Sequence, residues 1–314
     1  MSNLGPFFIG LAAFLWSTDA LFRQPLTGQL SPTSIVLLEH LLGLGILLPL
    51  LARRRVELRN LSGRDWLAVL AIGVGGSALA TILFTSAFRY VGPSVAILLQ
   101  KIQPLVAILL AVSLLGERLR ARFWLWSAVA VAAAYVISFP DLKITWSLYD
   151  NGTRGVLYAL GAAFLWGAST VFGRYAVQKV SYPTMSALRF AVAAVTIAVM
   201  MTAQGTLGSL ANLPGTAFDR LLAIVLISGT TAILLYYKGL KTTRASVSTI
   251  VELIFPFSAV VLNWIFLGDK LIWQQIVAGL VLLYAIVRVQ RFNREPVRST
   301  QGELAPVATP NVDR

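Results

Sequence analysis

The chain has 314 residues, 57% of them hydrophobic and only 12% charged, about half the charged fraction of an ordinary soluble domain, which excludes a soluble fold. Lys and Arg outnumber Asp and Glu 26 to 13, for a net charge of +13, but the basic residues gather in short clusters between apolar runs, which argues against nucleic-acid binding and for a lipid bilayer as partner. Cysteine is absent, so disulfides, thiolate metal sites and Cys nucleophiles are excluded.

A helix needs about 20 apolar residues to cross a hydrocarbon core of about 30 Å. Ten segments qualify: 5–23, 32–51, 66–88, 94–115, 122–139, 155–173, 183–203, 220–237, 246–267 and 271–288. The expected fold is an all-α integral membrane protein with ten transmembrane helices. The first span lacks a basic leader and is long enough to stay in the membrane, unlike a cleavable signal. It carries Phe14-Leu15-Trp16, then Ser17, Thr18 and Asp19. Trp16 lies about 16 Å along the helix, deeper than an interfacial Trp belt. It could stack on a substrate ring or pack against a neighbouring helix.

The second span holds Glu39 beside His40, the single histidine. An imidazole titrates near physiological pH, so His40, Glu39 and Asp19 are candidates for proton coupling; helix–helix hydrogen bonding is the alternative for His40. In the third span Gly73, Gly75 and Gly76 have no following Lys-Ser/Thr and no preceding strand, so a phosphate loop is rejected in favour of close helix packing. The fourth span reads Gln100-Lys101-Ile102-Gln103-Pro104. Pro104 lacks an amide hydrogen and frees the carbonyl four residues earlier, that of Gln100.

Beyond the loop 140–154 the pattern returns. Phe164-Leu165-Trp166 repeats the first motif at an offset of 150, followed by Ser169 and Thr170. Arg189-Phe190 stands where the first half has Glu39-His40. Tyr236 lies in the eighth span, and Glu252 precedes Pro256 as Gln100 precedes Pro104, at an offset of 152. Ser94-Val95 matches Ser246-Val247, and Leu115-Gly116-Glu117-Arg118-Leu119 matches Leu267-Gly268-Asp269-Lys270-Leu271. Five spans per half is an odd number, so the second copy must cross in the opposite sense, giving two inverted five-helix repeats, 5–139 and 155–289. Residues 290–314 read as a disordered cytoplasmic tail.

Arg53-Arg54-Arg55 with Arg59 and Arg64, then Arg118, Arg120 and Arg122, then Lys238, Lys241 and Arg244, then Arg288, Arg291, Arg294 and Arg298 all fall on one side of a ten-span chain. The positive-inside bias places both termini in the cytoplasm of a multi-pass protein of the cell membrane.

Intramembrane charges are costly and face a wet cavity or a partner. Lys101 and Arg189 suit a carboxylate or phosphate, and Glu252, Glu39 or Asp19 an amine. Internal pairing, such as Arg189 with Glu252 or Lys101 with Asp19, is the alternative. Over about residues 5–290 the doubled Phe-Leu-Trp segment, and the Pro followed by Gly-Glu/Asp-Arg/Lys-Leu, resemble the EamA branch of the drug/metabolite transporter superfamily. The resemblance implies a basket-like bundle with a central cavity, no ATP and frequent export of amino acids or other small metabolites. It also implies an Arg in the second helix of a repeat, which Arg189 supplies and the first half replaces with Glu39-His40.

The expectation is a secondary transporter by alternating access, exporting a small metabolite, with amino acids or zwitterions leading and organic cations or phosphorylated metabolites as alternatives. Its substrate-binding residues would be Trp16, Gln100, Lys101, Gln103, Trp166, Ser169, Thr170, Arg189, Tyr236 and Glu252, with Pro104 and Pro256 as hinges. Neither cofactor nor metal is expected. A passive channel or an intramembrane enzyme is the different-class alternative.

Overall fold

The computed structural model describes residues 4–115, 121–139, 141–142, 150–176, 179–240, 243, 247 and 251–294. Ser246, residues 116–120 with Glu117, Arg118 and Arg120, Lys241, Arg244, and most of the expected tail with Arg298 lie outside these. The described residues are helical, without a strand. The spans are α1 Gly5–Thr27, α2 Pro32–Arg53 and α3 Gly63–Ala87, then α4 in two pieces, Pro93–Gln100 and Gln103–Leu115. They continue with α5 Ala121–Ser138, α6 Asn151–Ala176, α7 Tyr182–Ala203, α8 Gly215–Tyr236, α9 described over Ile254–Leu267, and α10 Trp273–Arg294.

Local chemistry sets the helix starts. Pro lies in the first turn of α1, α2, α4 and α7, where a missing N–H costs no helical bond. The Ser31 hydroxyl accepts from Ser34 N–H at 3.1 Å to cap α2. Ser62 and Asp65 form a capping box on α3. α6 and α8 start earlier than hydropathy alone suggests, at Asn151 and Gly215, and α1 runs on to Thr27.

The packing map is unchanged when the halves are exchanged. α1 packs on α8 as α6 packs on α3; α9 packs on α1 as α4 packs on α6; α2 meets α7 and α5 meets α10. This is the two-fold relation of an inverted repeat. Small residues allow the close approach: Ala12 and Ala13 of α1, and their counterparts Ala162 and Ala163 of α6, are all fully buried. In lipid such interfaces are held by van der Waals packing rather than by the hydrophobic effect. Phe7, Leu67, Trp124, Leu125, Val195, Val199, Ile265 and Phe266 face outward, an apolar exterior matched to hydrocarbon.

Both α3 and α8 contain a π-helical stretch, Ile72–Leu79 and Ile224–Thr231, again 152 residues apart. The matching of such rare segments shows that the duplication reaches backbone hydrogen bonding.

Candidate functional site

The two helix breaks expected from Pro104 and Pro256 are present and lie two to four residues before the prolines. In α4 the helix ends at Gln100, Lys101 and Ile102 form a turn, and helix resumes at Gln103. Lys101 N–H and Ile102 N–H reach back only three residues, to Leu98 and Leu99 carbonyls at 3.0 and 3.1 Å. In α9 the turn is Glu252-Leu253, with Phe255 N–H on the Glu252 carbonyl at 3.1 Å. Each proline thus sits in the first turn of a restarted helix, where its ring and missing donor are tolerated. The breaks face each other, with Lys101 Nζ 4.3 Å from the centroid of the Phe255 ring, within cation–π range. Glu252 lies within coulombic reach of Lys101.

Two aromatic pairs flank the breaks at symmetry-matched positions. Trp16 of α1 meets Tyr236 of α8 with ring centroids 5.0 Å apart and planes tilted by 51°. Trp166 of α6 meets Phe84 of α3 at 5.2 Å and 58°. The Tyr236 hydroxyl donates to Glu252 Oε1 at 2.7 Å. In the first half the counterparts of Tyr236 and Glu252 are Phe84 and Gln100. Gln100 Oε1 is buried and has no hydrogen-bond partner among the described residues.

The remaining expected residues divide between this centre and the scaffold. Gln103 Nε2 donates to Thr170 Oγ1 at 3.4 Å, and that hydroxyl donates to the Trp166 carbonyl at 2.9 Å. Trp166 Nε1 donates to the Gly76 carbonyl at 2.8 Å. That carbonyl is accessible because the π-helical turn sends Ala80 N–H to Gly75 instead. Ser169 lies against Gly76, where a Cβ would strike its side chain. Arg189 Nε donates to the Ser77 hydroxyl at 2.7 Å, anchoring α7 to α3.

The acidic residues of α1 and α2 converge on a residue that sequence reading passed over. Arg23, 4% exposed, donates to Asp19 at 2.6 and 2.9 Å, to Glu39 Oε2 at 2.9 Å and to Thr85 Oγ1 at 3.1 Å. Ser228 of α8 donates to Asp19 Oδ1 at 3.1 Å, carrying the network across the halves. Asp19 is therefore held by Arg23 rather than Lys101. Arg23 is the last residue of the expected first span; α1 continues one turn beyond it and buries it.

His40, 4% exposed, has Nδ1 2.8 Å from the Val36 carbonyl. Its ring meets Phe190, its own symmetry counterpart, at 4.9 Å edge-on. A hydrogen-bonded Nδ1–H fixes the tautomer and leaves Nε2 as the acceptor.

A cavity of about 230 Å³ opens between α2, α7 and α8. Its walls are largely apolar, with Glu39, Ser186 and Thr230 among the lining residues, and Leu50 and Tyr182 near the ends of their helices. Apart from Glu39, sequence reading named none of these; they lack charge, and only the packing of α2, α7 and α8 brings them together.

A model of the EamA-like transporter family matches the chain twice, over residues 3–139 and 153–289. The chain belongs to the EamA-like transporter family. It is 31% identical over 299 residues to the riboflavin transporter ImpX of Fusobacterium nucleatum, covering 92% of this chain and 98% of that protein. It is 26% identical to the uncharacterized transporter YwfM of Bacillus subtilis, covering 92% and 96%. A solved crystal structure with a TM-score of 0.61 and 22% identity covers 92% of this chain and 97% of its own, a likeness of fold. The two EamA repeats are the two halves whose packing is exchanged by the two-fold axis.

Proposed function

We propose that this transporter is a secondary carrier for a small planar heterocyclic metabolite of the flavin kind, bound between the α4 and α9 breaks. The carrying observation is the Trp16–Tyr236 aromatic pair beside facing helix breaks, backed on the opposite side by the matching Trp166–Phe84 pair that braces it. Aromatic faces with a few placed polar groups make a site for a flat, mostly uncharged ligand. The relative named as a riboflavin transporter supports this class. The zwitterion expectation rested largely on the family resemblance, with a mixed-sign cavity in support; of those charges, Asp19 and Glu39 are held by Arg23.

The protein alternates access, the halves rocking about the two breaks with Pro104 and Pro256 as hinges, in the cell membrane with both termini cytoplasmic. Substrate leaves the cell. Asp19 and Glu39 couple a proton by exchanging their hold on Arg23, and His40 packs the α2–α7 contact. Among the expected binding residues, Trp16, Tyr236, Glu252, Lys101, Gln100, Gln103 and Thr170 form the site, while Trp166, Ser169 and Arg189 brace it.

Riboflavin titrated into the purified carrier tests the reading. Binding should quench flavin fluorescence by stacking, and Trp16→Ala should abolish the quench. Wild-type protein that leaves flavin emission unaltered, and is stabilised instead by amino acids, would replace it with the zwitterion reading.

A further inference from the structure

The site is asymmetric between the halves at the aromatic–polar pair. In the second half the Tyr236 hydroxyl satisfies Glu252. In the first half Phe84 has no hydroxyl, and the Gln100 carboxamide oxygen is buried without a partner among the described residues. The matched Trp–aromatic geometries, 5.0 Å and 5.2 Å, and the 152-residue offset make Phe84 and Gln100 the counterparts of Tyr236 and Glu252. Buried polar atoms without a partner are rare and call for an explanation. A scaffold residue would have been served by one added hydroxyl, which the duplicated helix already carries in its other copy.

We infer that Gln100 reads a hydrogen-bond donor on the substrate, and that phenylalanine at position 84 keeps its acceptor oxygen open. This deepens the proposed function and rests on it for the substrate. The class specified is a heterocycle with a lactam or imide edge, because a carboxamide accepts from a ring N–H through Oε1 while Nε2 donates to the adjacent ring carbonyl. The flavin ring carries such an imide. Lys101, the next residue, is turned to Phe255; the amide is the group matched to an uncharged edge. Failure to meet that acceptor leaves it buried and unpaired, which is how polar sites reject analogues lacking a donor.

The test compares riboflavin with N3-methylriboflavin on wild-type carrier, Gln100→Leu and Phe84→Tyr, and records the melting temperature of each protein without ligand. Wild type should favour riboflavin by at least about tenfold. Both variants should lose that preference. Phe84→Tyr should also melt about 2–4 °C higher without ligand, since its hydroxyl now meets Gln100. A preference retained in Gln100→Leu overturns the assignment. If wild type binds neither flavin, the flavin reading falls and the ligand-free melt decides alone. A raised melting temperature in Phe84→Tyr then supports the open acceptor, and an unchanged or lowered one overturns it.

Discussion

Arg23 Nη1 lies 2.9 Å from Glu39 Oε2, while its other nitrogens hold Asp19 four residues earlier on the same helix. One buried guanidinium therefore bonds two carboxylates from different helices, and the planar fork of Arg suits this where the point charge of Lys does not. Removing it strands two partly buried charges. Arg23→Met should lower stability by about 3–5 kcal/mol, and Arg23→Lys by less. Melting of the two variants in detergent checks the order; equal melts for wild type and Arg23→Met would refute it.

The loop carboxylate Glu57 joins the halves. Burial alone would raise its pKa, but the Ser181 backbone N–H at 2.7 Å, the hydroxyls of Thr184 and Ser181, and Arg54 hold it down at about 2, from an ordinary 4.5. A depressed carboxyl stabilises the fold above its unfolded pKa. The contribution is complete above about pH 4.5 and is lost as pH falls towards about 2. Glu57→Gln should flatten the decline in melting temperature between pH 5 and pH 3, leaving the share that Asp65, also held down at about 2, contributes; parallel curves would show that Glu57 carries no such linkage.

At the far end, Asp269 accepts from Ser94 N–H at 2.7 Å and so caps α4 from the other half. Gly268 makes the turn at φ 69°, a left-handed conformation that favours glycine. Gly92 leaves room for the Asp269 carboxylate, which a Cβ there would displace. Asp269→Ala should cost about 1 kcal/mol, as lost helix caps do. Gly92→Ala should cost a similar amount in wild type and far less in the Asp269→Ala background. Simple additivity in this double-mutant cycle would mean that the two do not interact.

Trp16 and Trp166 share a sequence motif but differ in their bonding. Trp166 Nε1 holds the Gly76 carbonyl, so Trp166→Phe should cost about 1 kcal/mol of stability and leave substrate affinity within about twofold. Trp16→Phe should reverse the pattern. A melt and a binding titration on both variants decide it.

Much of this was legible in the sequence. The offsets of 150 and 152 gave the inverted repeats, because duplicated helices keep their hydrophobic pattern. The breaks were readable from Pro104 and Pro256 with a polar residue four positions earlier. Arg23 was not, since a charge near the end of an apolar run looks the same whether the helix stops or continues. The π-helical stretches were hidden as well: 72–79 is glycine-rich, but Ile224–Thr231 has only Gly229, so no shared composition marks them. Nor could spacing show that Tyr236 reaches Glu252, because that contact depends on how α8 lies beside α9.

Counterflow in proteoliposomes loaded with unlabelled riboflavin and diluted into a trace of labelled riboflavin tests the central claim most directly. A carrier with one alternating site between the α4 and α9 breaks will accumulate label transiently above equilibrium, and Trp16→Ala will lose the overshoot. Label that enters slowly to equilibrium without overshoot, unaffected by the internal load, would contradict it.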